Sequence, residues 1–311
     1  MLRRALLAAS ASERLRHVVT TAPLTRDVVA RFVAGDTADD VLAVTRRLLD
    51  DGLLVSLDYL GEDTADPQQA AAVTAEYLGL LGRLGAAGMA AGGRAEVSVK
   101  PTAVGLDLAE HGEKTARENV ARICAAARDA GTTVTLDAEE HTRVEPTLRI
   151  VAQLRPEFPE LGCVIQSYLR RSPDDCRALA AEGSRVRLCK GAYNAASDVA
   201  FTSRAEVDRC YARCLRVLLD GPGYPMIATH DPRLITMADA LATLADRPKA
   251  GFEYQMLYGI RPAEQRRLAG TGARMRVYVP YGSDWYGYLV RRLAERPANL
   301  AFFVRSLASR G

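Results

Sequence analysis

The sequence has no long apolar run. An alanine-rich stretch between residues 70 and 93 is interrupted by Glu76, Arg83 and several glycines, whereas a membrane-spanning helix takes about 20 apolar residues. The apolar part of residues 1–10 ends after about five residues, short of the roughly seven to fifteen that a secretory signal needs. We therefore expect an amphipathic helix at the N-terminus and a cytoplasmic protein, for which contact with a membrane surface stays open.

Neither sign of charge is in clear excess. The 41 basic and 38 acidic residues give a net charge of +3, whereas nucleic-acid binding depends on a concentrated basic surface. The six cysteines include no C-x-x-C pair, which indicates reduced, buried thiols. No two of the four histidines have ligand spacing, so we expect neither nucleic acid nor a metal as a partner.

Short apolar runs alternate with helical stretches from about residue 50 onward. Eight runs are present, at 53–57, 95–99, 133–136, 163–165, 186–189, 226–228, 251–254 and 275–279. Eight strands alternating with helices are typical of an α/β fold of the (β/α)8 TIM-barrel type, which needs roughly 250 residues. We predict one catalytic domain, 1–311, with a helical N-terminal region at about 1–50 and a barrel at about 51–311.

Polar residues follow the apolar runs where the strands are expected to end. They are Lys100, Asp137 with Ala138 and Glu139, Gln166, Lys190 with Gly191 and Ala192, Thr229 with His230 and Asp231, Gln255, and Tyr278 in the last run. Active sites of TIM barrels lie at the carboxyl ends of the strands. A single polar residue after a strand usually marks only the point where the chain leaves the core and meets solvent. Seven such positions together predict a catalytic face.

A short helix near the C-terminus carries a second polar pattern. Tyr288, Arg291, Arg292 and Glu295 are spaced i, i+3, i+4 and i+7 and so share one side of a helix. Two guanidiniums beside a phenol can bind a small carboxylate in a bidentate way, and Glu295 would orient one of them. The alternative is an ordinary solvated helix face.

Seven segments in chain order carry a family resemblance. They are 97–100 (VSVK), 136–139 (LDAE), 164–168 (VIQSY), 187–193 (RLCKGAY), 228–230 (ATH), 252–259 (FEYQMLYG), and 278–282 (YVPYG) with 288–292 (YLVRR). From about residue 53 to the C-terminus the chain resembles proline dehydrogenase. Its length leaves no room for the further domains of the bifunctional forms, so it resembles the monofunctional bacterial type.

The resemblance implies a distorted (β/α)8 barrel that binds FAD non-covalently and oxidises L-proline to 1-pyrroline-5-carboxylate, the first step of proline catabolism to glutamate. It further implies a membrane quinone as electron acceptor, peripheral contact with the inner face of the cell membrane, and transient contact with pyrroline-5-carboxylate dehydrogenase. Asn194 and Asp231 depart from residues common in the family, tryptophan and asparagine, which puts flavin contacts near them in doubt.

The same resemblance implies roles for individual residues. Lys100, Arg291 and Arg292 would bind the substrate carboxylate, and Tyr278 and Tyr288 would pack against the proline ring. Asp137 and Arg187 would be catalytic, with Arg187 near the reactive edge of the flavin. The cofactor-binding set is Ala138, Gln166, Arg187, Lys190, Gly191, Ala192, Thr229 and His230.

For Arg187 and Asp137 we also predict the partners of the side chain. Arg187 alternates with Val186 and Leu188, so its charge must be buried and needs an anionic partner. We expect Asp137 to orient Arg292, Lys100 or a nearby tyrosine, and the alternative is a cap on the next helix.

Two other functions compete with a flavoenzyme. Asp137, Glu139, Glu140, His141, His230 and Asp231 could supply ligands to a metal-dependent lyase or hydrolase. A non-catalytic sensor could bind an amino acid through Arg291 and Arg292, but it would have no use for the predicted flavin contacts.

Overall fold

The computed structural model describes residues 29–61, 64–193 and 195–289. Its strands are β1 Leu54–Tyr59, β2 Ala95–Val99, β3 Val134–Leu136, β4 Gly162–Gln166, β5 Arg185–Cys189, β6 Tyr224–Ala228, β7 Glu253–Leu257 and β8 Met275–Tyr281. Its helices are α1 Ala38–Asp50, α2 Pro67–Ala86, α3 Gly112–Asp129, α4 Val144–Leu154, α5 Ser172–Ala181, α6 Arg204–Asp220, α7 Pro232–Leu244 and α8 Pro262–Gly270.

The eight strands form one closed parallel barrel in sequence order. Strand β1 pairs with both β2 and β8, with Ser56 opposite Glu96 on one side and Tyr278 on the other. A helix follows each of the first seven strands, so the predicted (β/α)8 fold is confirmed. In the part of the chain that the structure describes, every helix is too short or too polar to cross a bilayer.

Local sequence signals explain where the helices begin. Thr37 and Asp40 form a capping box on α1, and Asp66 before Pro67 caps α2. Ser203 caps α6 and Asp231 before Pro232 caps α7, because these side chains satisfy N–H groups that the first turn leaves without partners.

The apolar core lies between the barrel and its helices. Strand residues such as Val97, Leu136 and Ile227 are fully buried against it, since each strand turns alternate side chains outward. Five of the six cysteines are buried and Cys189 is partly exposed, all as free thiols, which agrees with the prediction.

Only β2 has the predicted bounds exactly, and the differences in β7 and β8 bear on predicted site residues. Residues Lys249–Gly251 form a short 3₁₀ turn, so β7 begins later than expected and continues to Leu257. Gln255 and Tyr278 therefore lie within strands and not at their ends. Of the predicted helical N-terminal region, 38–50 is α1, residues 33–36 are irregular, and residues 1–28 lie outside the described part.

Candidate active site

The interior of the barrel is lined with charge. TIM barrels normally fill this space with branched apolar side chains, but here four carboxylates and four cations are buried within it. They are Asp58, Glu96, Asp137 and Glu253, and Lys100, Arg185, Arg187 and Arg276. Every one of them lies within 4 Å of an opposite charge, as the cost of burying a charge requires.

Arg187 lies at the centre of this interior. Its guanidinium reaches from β5 to side chains of four other parts of the barrel. The acceptors are Gln255 Oε1 at 2.5 Å, Ser98 Oγ and Asp137 Oδ1 at 2.7 Å each, Ser56 Oγ at 3.0 Å and Glu96 Oε1 at 3.3 Å. Arg187 therefore has two anionic partners, Asp137 and Glu96, where the sequence predicted one.

Asp137 joins Arg187 to Tyr278. One carboxylate oxygen accepts from Arg187 and from Ser98, and the other accepts from the Tyr278 hydroxyl at 2.6 Å. Helix α4 has no side-chain cap, so the capping alternative for Asp137 is wrong. Of the partners expected for this carboxylate, the structure brings a tyrosine to it.

Tyr278 is a neutral phenol in this arrangement. Desolvation, and after it the charges of Asp137 and Asp58, raise the pKa of Tyr278 well above its ordinary value. Its ring lies 5.3 Å from the Arg187 guanidinium carbon, within cation–π range. The phenol can donate a hydrogen bond and pack against a ligand, but it cannot act as a base near neutral pH.

Lys100 follows β2 and forms an ion pair that sequence reasoning missed. Its ammonium lies 2.6 Å from both carboxylate oxygens of Asp58, and both side chains are buried. A signal was present, because Asp58 stands two residues after Ser56 and so faces the same side of β1. Asp58 sets the charge beside the predicted carboxylate site.

Gln166, at the end of β4, binds the turn that follows β3. Its amide nitrogen donates to the Glu139 carbonyl at 2.8 Å, and the Glu139 carboxylate accepts from the Thr102 hydroxyl and N–H. Ala138, in the same turn, is half-buried. These contacts fix the rim of the barrel between β2 and β4.

Lys190 and Gly191 form the next part of the rim, after β5. Lys190 lies 2.6 Å from Asp208 and 3.3 Å from Asp231. Gly191 has a φ of +91°, and a Cβ there would overlap the ring of Tyr168. Only glycine suits both the backbone angle and the space, and the half-buried Ala192 follows it.

An open surface depression of about 520 Å³ lies beside Lys190, between the first turns of α6 and α7. It is lined by Arg204, Ala205, Asp208, Asp231 and Arg233. Hydrogen bonding to Arg233, aided by Lys190, holds the pKa of Asp231 well below its ordinary range. Cations, carboxylates and two helix N-termini thus meet in one opening.

Thr229 and His230 follow β6 at the same rim. The Thr229 hydroxyl accepts from the Asp231 N–H at 3.1 Å. His230 Nε2 accepts from the Leu257 N–H at 3.0 Å, which joins β6 to β7. The His230 side chain is therefore held by a backbone N–H of β7. The next residue, Asp231, lines the depression.

The carboxylates proposed as metal ligands have other partners. Asp137 pairs with Arg187, Glu139 with Thr102, and Asp231 with Lys190 and Arg233. Across the described residues, no three His, Cys, Asp or Glu side chains are grouped closely enough to bind a metal ion.

The C-terminal helix is described only at its start. Residues 285–289 are helical, and Tyr288 is buried in a cluster with Phe32, Leu60 and Ile260. Arg291, Arg292 and Glu295 lie outside the described residues, so the carboxylate fork stays a prediction.

Comparison with known proteins places the chain in a family. Residues 41–305 match the family model described as proline dehydrogenase. The chain is 39% identical to proline dehydrogenase 1 of Bacillus subtilis over 283 residues, 91% of each chain, and 38% identical to proline dehydrogenase of Deinococcus radiodurans over 90% of each.

Bifunctional proteins resemble the chain over part of their length. Bifunctional protein PutA of Escherichia coli is 30% identical over 88% of this chain, which spans 24% of that relative. The crystal structure of PutA from Bdellovibrio bacteriovorus, inactivated by N-propargylglycine, has a TM-score of 0.78 and 26% identity over 94% of this chain and 36% of its own. The chain therefore belongs to the proline dehydrogenase family and is an oxidoreductase.

Proposed function

We propose that this chain oxidises L-proline to 1-pyrroline-5-carboxylate with non-covalently bound FAD, as the first step of proline catabolism to glutamate. The observation that carries the proposal is the buried Arg187–Asp137–Tyr278 arrangement in a polar barrel. Its relatives named proline dehydrogenase match nearly the whole chain. The whole chain, 1–311, would form one catalytic domain.

The chemistry of the rim supports a flavin dinucleotide. Lys190, Arg204 and Arg233, with the N-termini of α6 and α7, suit a pyrophosphate, and Asp208 and Asp231 can accept from ribose hydroxyls. Gly191 lets the backbone approach closely. Gln166, Ala138, Ala192, Thr229 and His230 are the further contacts that we assign to the cofactor.

Substrate recognition is assigned to the opposite side of the mouth. Lys100, Arg291 and Arg292 would bind the proline carboxylate, and Tyr278 and Tyr288 would pack against the ring. The Lys100–Asp58 pair is neutral as a unit, so the arginines would supply the net positive charge. When the carboxylate is fixed, C5 of the ring is held in one orientation toward the flavin. This lowers the entropic part of the activation barrier.

The flavin, when bound, supplies the two-electron acceptor for the reaction. Proline loses a hydride equivalent from C5 and its nitrogen protons to solvent, and a C5=N double bond forms. Arg187 would supply a fixed positive charge near the flavin, which would favour negative charge on the reduced ring. Asp137 orients Arg187 and Tyr278, and Tyr278 stays protonated.

Electrons would leave to a membrane quinone. Two properties are proposed with this acceptor: a cytoplasmic location with peripheral contact at the inner face of the cell membrane, and transient contact with pyrroline-5-carboxylate dehydrogenase. Relatives named bifunctional support the second. Reduction of a soluble quinone analogue by proline, faster when vesicles carrying the quinone are added, would test the acceptor.

An anaerobic titration tests the central proposal. The purified protein should be yellow, and L-proline should bleach its flavin absorbance without oxygen. Arg292→Lys should lose the two-pronged grip and bleach only at higher proline concentration, whereas the exposed Arg216→Lys should match the parent protein. Hydroxyproline in the same titration shows the ring preference. A yellow protein that proline does not bleach would refute the proposal.

A further inference from the structure

On the side of Arg187 that faces the amino ends of the strands lies the buried carboxylate of Glu96. Glu96, on β2, is fully buried and contacts three arginines, of which Arg276 is the most distant, with its Nε 3.8 Å from Oε1. Oε1 lies 3.3 Å from Arg187 Nη2, and Oε2 lies 3.0 Å from Arg185 Nη2. Hydroxyls of three further residues complete its shell: Ser56, Thr133 and Thr135.

Glu96 remains charged in this position. Burial on its own would raise the pKa of Glu96, but Arg276, Arg185 and Arg187 together lower it from 4.5 to about 2. The carboxylate therefore contributes a full negative charge to the barrel at neutral pH. Without it the interior would hold one uncompensated cation.

Ser56 links Glu96 to Arg187 a second time. Its hydroxyl donates to Glu96 Oε1 and accepts from Arg187 Nη2, at 3.0 Å in both cases. The Arg187 guanidinium is thus bound, on the side of the amino ends of the strands, by a carboxylate and a hydroxyl that are themselves fixed. Rotation of Arg187 toward any other place would break both contacts.

We propose that Glu96 is a positioning residue for the reaction: it fixes the Arg187 guanidinium from the side of the amino ends of the strands and contributes a negative charge to the barrel interior that would face the flavin. The inference rests on the proposed function, because it assigns Arg187 to the flavin site. Glu96 lies nearer the amino ends of the strands than the predicted site residues do. Residues at that end of a TIM barrel usually contribute to stability and not to the reaction.

Glu253 provides a matched control for Glu96. It is also a fully buried carboxylate of the barrel interior, but it pairs with Arg276 at 2.6 Å. Its link to Arg187 is indirect. It runs through the amide of Gln255, or through Arg276, whose Nε lies 3.8 Å from Glu96 Oε1. Loss of either carboxylate breaks a buried ion pair, so both variants should lose stability.

The test compares Glu96→Gln with Glu253→Gln in the flavin-loaded enzyme. We expect Glu96→Gln to raise the flavin midpoint potential, because a negative charge of the barrel interior is lost, and to slow flavin reduction by proline about tenfold or more. A higher potential with a slower reduction indicates misplacement and not a weaker driving force. The proline concentration for half-maximal rate should change less than about twofold, since Lys100, the predicted carboxylate contact that follows the same strand, lies four residues beyond Glu96.

Three outcomes would overturn the inference. They are parental potential and reduction rate in Glu96→Gln, an equal shift in Glu253→Gln, and a slower reduction explained by a lower potential. If the parent protein binds flavin but proline does not bleach it, the proposed function fails, while the comparison of potentials still reports on Glu96.

Ser56→Ala tests the same contact without a change of charge. It removes the hydroxyl between Glu96 and Arg187, so reduction should slow while the midpoint potential stays near the parent value. This small substitution also serves if Glu96→Gln does not fold, and a parental reduction rate in Ser56→Ala would then refute the inference.

Discussion

Replacing Tyr278 by phenylalanine tests whether the bond from this phenol to Asp137 contributes to the reaction. The substitution removes one oxygen atom and leaves the ring in place. Asp137 then keeps its bonds from Arg187 and Ser98 but loses the donor on its other oxygen. We expect slower flavin reduction by proline with a folded protein.

The size of the effect follows from the kind of bond. The Tyr278 hydroxyl lies 2.6 Å from a carboxylate oxygen, and a hydrogen bond to a charged group is worth about 1.5–3 kcal/mol. If the reaction uses all of it, kcat/KM falls about ten- to 150-fold. Because the pKa of Tyr278 is well above 10.0, no alkaline limb of the rate profile should disappear with the hydroxyl.

Stopped-flow reduction of the flavin under anaerobic conditions measures the change. Tyr281→Phe is the control, because Tyr281 is a buried tyrosine of the same strand whose hydroxyl donates to Glu76 on α2, outside the barrel. Both variants lose a bond to a carboxylate, and only Tyr278→Phe should lose rate.

Two results would refute this reasoning. A kcat/KM of Tyr278→Phe within about twofold of the parent would mean that the bond to Asp137 is not used in the reaction. An equal loss in Tyr281→Phe would assign the effect to the stability of β8 and not to the site.

Two more predictions concern the rim and the barrel interior. Gly191→Ala should lower flavin retention on dialysis about tenfold or more, because the new Cβ would overlap the ring of Tyr168. Gly183→Ala controls for backbone strain, because Gly183 has a φ of +70° but lies in open space. Equal flavin content in the two variants would contradict the prediction. Buried Glu96 has its pKa lowered from 4.5 to about 2, so its stabilisation is complete above about pH 5 and is lost as the pH falls toward 2. Urea unfolding at several pH values should therefore show a shallower acid loss in Glu96→Gln.

The outer face of the barrel could be predicted from sequence. Runs such as 95–99 and 275–279 alternate with capped helices, and the strands they predict are those of the structure. Apolar residues at alternate positions suffice for this, because the helices cover them. The polar residues just after strands, such as Lys100 and Asp137, were found by the same pattern.

The inner face could not be predicted in the same way. Glu96 in the segment AEVSV reads as the solvent-facing residue of a half-buried strand, and only closure of the barrel turns it inward. Its partner Arg187 is 91 residues away, so no local pattern joins them. The alternation around Arg187 predicts that it needs an anion, but it does not point to Glu96, Glu253 or Arg276, because ion pairs between distant strands leave no spacing signal.

The polar interior of the barrel also bears on how the protein responds to temperature. Exposing apolar surface on unfolding raises the heat capacity, while exposing polar surface lowers it. A barrel filled with Asp58, Glu96, Arg187 and Arg276 should unfold with a smaller heat-capacity change than one of equal length filled with valine and isoleucine. Its stability curve should be flatter, and its ion pairs should cost less to bury as the temperature rises.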